Sequence, residues 1–175
     1  MCPSLTYNYK YPHPSITVDA VVFALQDGEW KILLIRRANN PYRDYWAFPG
    51  GFMNIDESAE SAVIRELWEE TNLRVSSFKQ FHTFSSPQRD PRERVVSIAY
   101  YALIKCIPVV AGDDASSAKW FLLSDLPDLA FDHADIMRTV VNVLKRDLHD
   151  TGSSALESFT HEEIDALYHD LCEYD

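Results

Sequence analysis

The chain has 175 residues, 46% apolar and 25% charged, which fits one globular domain with little left for a second. No run approaches the ~20 apolar residues of a membrane-spanning helix, and MCPSLTYNYKYPHP lacks the basic start and apolar stretch of a secretory leader. The net charge is −11, but residues 147–175 hold nine acids and no Lys or Arg, leaving −2 for the rest; such a tail would repel a phosphate backbone and argues against nucleic acid as a partner. Cys2, Cys106 and Cys172 are too widely spaced for a zinc site or a disulfide framework, which predicts a cytoplasmic protein.

Residues 1–14 hold three prolines and read as an irregular arm. SITVDAVVFALQ, residues 15–26, is rich in β-branched side chains and reads as a strand. Asp27-Gly28 is a hairpin signal, because a tight type I′ turn needs positive φ at both positions. WKILLIRR, residues 30–37, returns as the second strand. ANNPYRDY is a loop, and WAFPGGF is a short strand entering a Gly-Gly turn. Residues 57–71 have helical character. Residues 74–84 and 93–106 read as strands split by the polar loop SSPQRDPR. AGDDASSA is a second loop, and Lys119–Leu123 a short strand. Residues 132–148 are amphipathic, with Ile136, Val140, Val143, Leu144 and Leu148 at helical spacing. GSSALES reads as a link, and Thr160-His161-Glu162-Glu163 is a capping box that starts a last helix. These elements predict an α+β domain over 15–148, with a mixed sheet, helices on its faces, and an acidic extension over 149–175.

The chemistry is concentrated in GGFMNIDESAESAVIRELWEETNL, residues 50–73. On a helix, with Glu66 at zero, Glu70 falls at about +40° and Glu69 at about −60°. Three carboxylates therefore share one stripe, cleared of bulk by Ala59 and Ala62, while Leu67, Ile64 and Trp68 take the far side. Clustered carboxylates repel one another unless a cation lies among them. Hard ions such as Mg²⁺ favour such oxygens, often shared with substrate phosphates. The plainer alternative is a solvated face with Arg65 and Glu69 paired at i,i+4. The Gly-Gly turn just ahead can bring backbone close to a ligand. Arg36 and Arg37 end the preceding strand, and alternation sends at most one of them toward that turn.

The segment resembles the Nudix box: Gly51, then Glu57, then Arg65-Glu66-Leu67-Trp68-Glu69-Glu70, with Leu73 closing it. Asn72 stands where the family carries glycine. That position resembles a helix C′ residue in the left-handed region, which Asn tolerates next best. The resemblance implies the Nudix fold, an α/β/α sandwich around a mixed sheet. It implies that Glu66, Glu69, Glu70 and the Gly50 carbonyl hold Mg²⁺, or Mn²⁺ in its place. It makes Glu57 and Arg65 a supporting ion pair at the catalytic centre. Arg36, Arg37 and Gly51 are then candidates to meet substrate phosphates.

The wider pattern, RRANNPYRDYWAFPGGF with the SPQRDPR loop and LAFDH, resembles the ADP-ribose pyrophosphatase branch, which includes Nudix domains of NAD-metabolism regulators. Arg89, Arg92 and Arg94 in that loop are then near enough to meet a second phosphate or a ribose. The implied reaction is hydrolysis of ADP-ribose, or a related nucleoside diphosphate derivative, to AMP and a sugar phosphate. Release of pyrophosphate from a nucleoside triphosphate is the alternative, and a nucleotide-sensing domain a second; residues 149–175 are too few for a winged helix. Candidates for the general base are Glu69, Asp113, Asp114, Asp132 and His133, with Asp132 preferred as a helix cap. Tyr42, Tyr45 and Phe48 are candidates to stack on a base. Relatives of this branch are often homodimers, and Ile164, Leu167, Tyr168 and Leu171 give the last helix an apolar face to bury on its own domain or on a partner.

Overall fold

The computed structural model describes residues 7–105, 107–109, 115–148, 156 and 158–174. Asp113, Asp114, Cys2 and Cys106 lie outside the described residues.

Strand β1 (Ser15–Gln26) turns at Asp27 and Gly28, whose φ values are +54° and +84°, into β2 (Glu29–Arg37). Short β3 (Trp46–Ala47) and β4 (Gly50–Phe52) follow, then helix α1 (Ala59–Thr71). Next come β5 (Lys79–Phe84), β6 (Val95–Lys105), β7 (Ala115–Leu122), α2 (His133–Asp147) and α3 (His161–Glu173). Among the described residues the sheet has seven strands in the order β3-β2-β1-β6-β5, with β4 pairing β1 and β7 pairing β2. β1 and β6 run parallel, and the other pairs are antiparallel. β5 starts later than the composition suggests, at Lys79. β7 is longer, and takes in residues expected as loop.

β1 is buried on both faces, which accounts for its near-continuous apolar run. Val18, Ala20 and Val22 pack with Ala62, Val63 and Leu67 of α1. Val21, Phe23 and Leu25 pack on the other face with Ile136, Val140 and Leu144 of α2. The result is the expected α/β/α sandwich. Leu167 and Leu171 of α3 are fully buried in that second cluster, so the last helix docks on its own domain. Its capping box is formed at Thr160 and Glu163, and the Trp30 indole donates to the Glu163 carbonyl at 2.9 Å. Burying a leucine of this kind is worth about 1.5–3 kcal/mol.

Candidate functional site

α1 begins where Ser58 accepts from the Ser61 amide and ends at Asn72, whose φ of +55° lies in the left-handed region. The cap amide bonds the Trp68 carbonyl at 2.8 Å, so asparagine does here what glycine would. The acid stripe faces the strand carrying Gly50 and Gly51. The Gly50 amide donates to Glu70 at 2.9 Å. A Cβ on Gly51 would lie 2.6 Å from a carboxylate oxygen of Glu66, so only glycine lets strand and acid approach this closely.

Arg65 sits among the acids. It donates to both oxygens of Glu57 at 2.6 and 3.0 Å, to Glu66 at 2.8 Å, to Glu69 at 2.9 Å and to the Phe52 carbonyl at 3.1 Å. That bond holds the Glu57 carboxyl below its ordinary range. Burial pushes Glu66 the other way, above its ordinary value, and Arg65 only partly offsets it. Glu69 is the most open of the Arg65-bound acids, 47% exposed against 13% for Glu66.

Beside Gly50 and Gly51 lies a cleft of about 180 Å³, bounded by Arg37, Arg89, Arg92, Phe52 and Phe131. Strand alternation decides between the adjacent arginines. Arg37 lines the cleft, with its guanidinium 4.7 Å from the Phe131 ring centre. Arg36 lies outside it, bonded to the Asp44 carbonyl at 3.2 Å and paired with its carboxylate at 3.3 Å. Burial first, and then Arg92, lower the Arg37 pKa. Arg92 is fixed by Asp90. Burial works to raise the Asp90 carboxyl, but the Arg92 hydrogen bonds outweigh it and hold it below its ordinary value. Arg94 is spent on the loop itself, donating to the carbonyls of Ser85, Ser86 and Val95.

Under the cleft is a buried polar set. Arg89 makes a two-pronged pair with Asp132, at 2.8 and 2.9 Å, and approaches Asp19 at 3.7 Å. Asp19 accepts from the Ser97 hydroxyl at 2.5 Å. The Phe48 amide donates to Nδ1 of His133 at 3.0 Å, which leaves Nε2 to carry the proton, 3.6 Å from Asp19. Burial lowers the His133 pKa. Asp132 does occupy the N-cap position of α2, but its side chain caps nothing, because Arg89 holds it. Phe48 is buried against His133 and so is no platform for a base. Asp19 was not singled out in the sequence. Its signal was a lone acid in an apolar strand.

Residues 15–141 match the NUDIX domain family model. The chain belongs to the Nudix family. It is 43% identical over 128 residues, 73% of each chain, to an ADP-ribose pyrophosphatase of Methanocaldococcus jannaschii. It is 35% identical over 133 residues to an ADPR-responsive transcriptional repressor of Acinetobacter baylyi, covering 73% of this chain and 53% of the repressor. Among solved structures, a MutT/nudix family protein of Enterococcus faecalis matches 97% of this chain and 78% of its own, with TM-score 0.83 and 33% identity. The Nudix domain of Shewanella oneidensis NrtR complexed with ADP ribose matches 79% of this chain and 94% of its own, with TM-score 0.73 and 34% identity.

Nudix hydrolases generally work with a divalent metal ion. Among the described residues, no three His, Cys, Asp or Glu side chains converge as a ready metal-binding group. Arg65 bridges Glu57, Glu66 and Glu69, while Glu70 bonds the Gly50 amide. The donor chemistry nevertheless fits: hard oxygens, a buried Glu66 that favours a neutralising partner, and a glycine strand pressed against it. No described helix is long and apolar enough to cross a membrane.

Proposed function

We propose that this Nudix hydrolase cleaves the diphosphate of ADP-ribose, or of a related nucleoside diphosphate derivative, to AMP and a sugar phosphate. What carries the reading is the juxtaposition of the α1 acid stripe with a cleft bearing Arg37, Arg89 and Arg92 across Gly50 and Gly51. The relative named as an ADP-ribose pyrophosphatase supports the choice of substrate. Arg37 is the cation of the cleft that makes no ion pair within 4 Å among the described residues; it is the one to meet phosphate. Arg89 and Arg92, held by Asp132 and Asp90, shape the cleft.

Glu66, Glu69, Glu70 and the Gly50 carbonyl would hold Mg²⁺, or Mn²⁺, which when bound neutralises phosphate charge and acidifies water. Glu57 keeps Arg65 in place, and Arg65 orients Glu66 and Glu69. Glu69, the most open of the acids on Arg65, is the general base. It takes the proton of the attacking water as the water oxygen joins phosphorus and the bridging P–O bond breaks. Asp132 and His133 are committed to Arg89 and to the Phe48 amide, and so serve position rather than proton transfer. The reading gives the protein a small-molecule substrate and cytoplasmic work, with no nucleic-acid or membrane partner.

Product analysis tests it, with ADP-ribose, NADH, diadenosine polyphosphates and nucleoside triphosphates, each with Mg²⁺ and with Mn²⁺. AMP and ribose phosphate are expected from ADP-ribose. A nucleoside monophosphate with pyrophosphate would replace this reading by the triphosphate one. Tight ADP-ribose binding without turnover would replace it by a sensing role, which the likeness to an ADPR-responsive repressor favours. Glu70→Gln is expected to abolish turnover.

A further inference from the structure

Between β3 and β4 the strand pattern is interrupted at Phe48 and Pro49. Pro49 has no N–H to give to a ladder, and a buried backbone amide left unpaired costs about as much as a lost hydrogen bond. The residues leading to Gly51 are instead each tied to a different element. The Phe48 amide donates to Nδ1 of His133 at 3.0 Å, the Pro49 carbonyl accepts from the Ala20 amide at 2.8 Å, and the Gly50 amide donates to Glu70 at 2.9 Å. Two of these ties run to β1 and α1, between which β4 lies. The third comes from the first residue of α2, 85 positions along the chain.

His133 is held in the pose that contact needs. Its side chain is 6% exposed. Its ring stacks on Phe48, with the planes 11° apart and the centres 5.3 Å apart. Asp19, 3.6 Å from Nε2, favours the tautomer with the proton there and the lone pair on Nδ1. Asp19 in turn accepts from the Ser97 hydroxyl and is the register partner of Gly50 in the β1–β4 pair. A Cβ on Gly50 would lie 3.1 Å from an Asp19 carboxylate oxygen, so one acid borders both His133 and Gly50. Docking of α2 does not need this arrangement, because Ile136, Val140 and Leu144 already pack that helix on the sheet.

We propose that His133, backed by Asp19, is a positioning residue for the Gly50 main chain: its Nδ1 anchors the Phe48 amide and so fixes the carbonyl that Gly50 would offer to the metal ion. Each peptide unit is planar, so an anchor on one leaves few free dihedrals before the next carbonyls. The assignment rests on the metal set proposed above. Partners one step behind a metal ligand typically count for about 10–100-fold in metal affinity or activity.

The test is Mn²⁺ titration without substrate, together with steady-state kinetics on ADP-ribose with Mg²⁺. The proteins are wild type, His133→Asn, whose amide oxygen can take the place of Nδ1, and His133→Leu, of similar bulk with no acceptor. His133→Gln, whose longer side chain carries its amide past Phe48, replaces the leucine variant if that one does not fold. His133→Leu is expected to weaken Mn²⁺ binding about 10–100-fold and to lower kcat by a similar factor, with KM for ADP-ribose within about twofold. His133→Asn is expected to recover most of both. Equal impairment of the two variants overturns the assignment, since the acceptor would then not matter. So does a folded leucine variant that binds Mn²⁺ as wild type does, or a wild type that binds no Mn²⁺. If wild type binds Mn²⁺ but leaves ADP-ribose intact, the substrate reading fails while the Mn²⁺ titration still decides the positioning role.

Discussion

Arg89 and Asp132 join the SPQRDPR loop to the start of α2 through two parallel hydrogen bonds of 2.9 and 2.8 Å, with the arginine side chain only 6% exposed. The pair closes the floor of the cleft beside Gly50 and Gly51, which Arg89 lines. A buried arginine that loses its carboxylate keeps the cost of its desolvation without the compensating attraction. Asp132→Ala is therefore expected to cost about 3–5 kcal/mol in urea unfolding. A loss below about 1 kcal/mol would mean that Asp19, 3.7 Å away, already balances the charge.

His133 makes stability depend on pH in a defined direction. Its burial lowers the folded pKa below the ordinary histidine value. The unfolded chain then binds more protons than the folded one as pH falls below about 6.5, so stability rises with pH through that window. The contribution is fully present above about 6.5 and is lost as pH falls toward the folded pKa. His133→Asn, which keeps an acceptor for the Phe48 amide, is expected to flatten the slope of stability just below about pH 6.5. An unchanged slope would mean that the imidazole takes up its proton while folded.

Much of this architecture is legible in the residues because local and global signals agree. Asp27-Gly28, the Thr160 capping box and the apolar stripe of α2 each specify an element that forms as read. Asn72 at the helix end was readable through the resemblance, with backbone sterics explaining why asparagine serves there. Arg65 with Glu57 was readable only through the resemblance. The floor of the cleft was not legible, because Asp19, Ser97, Arg89 and Asp132 come from four separate segments that only the sheet brings together. Asp132 shows the limit. Its position at the helix start was correctly read, but a partner 43 residues away claims the side chain that capping would have used. Arg36 and Arg37 are equivalent by composition, and only the register of β2 separates them.

The acidic tail contributes to the core rather than merely trailing it. Leu167 and Leu171 are fully buried beside Trp30 and Ile32. Leu167→Ala is expected to cost about 2–5 kcal/mol and to lower the unfolding midpoint of the whole domain in one transition. An unchanged midpoint, with loss of helical signal alone, would mean that α3 opens independently of the sheet.

Adjacent glycines should fail in different ways. A Cβ on Gly50 would lie 2.2 Å from the Val18 carbonyl oxygen, a backbone atom of the central strand that cannot yield without disturbing the β1–β4 pairing. On Gly51 it would meet the carboxylate of Glu66 at 2.6 Å, the far end of a flexible side chain. Gly50→Ala is thus expected to destabilise the fold by several kcal/mol, on the order of other severe backbone clashes. Gly51→Ala is expected to unfold within about 1 kcal/mol of wild type, because Glu66 can rotate aside. The displaced carboxylate should instead weaken Mn²⁺ binding and lower kcat/KM on ADP-ribose by about 100-fold or more, as misplaced catalytic groups do. Circular dichroism melts, Mn²⁺ titration and turnover separate the two effects. Comparable Mn²⁺ affinity in wild type and Gly51→Ala would show that Glu66 is not a ligand, leaving Glu69 and Glu70 to be tested in its place.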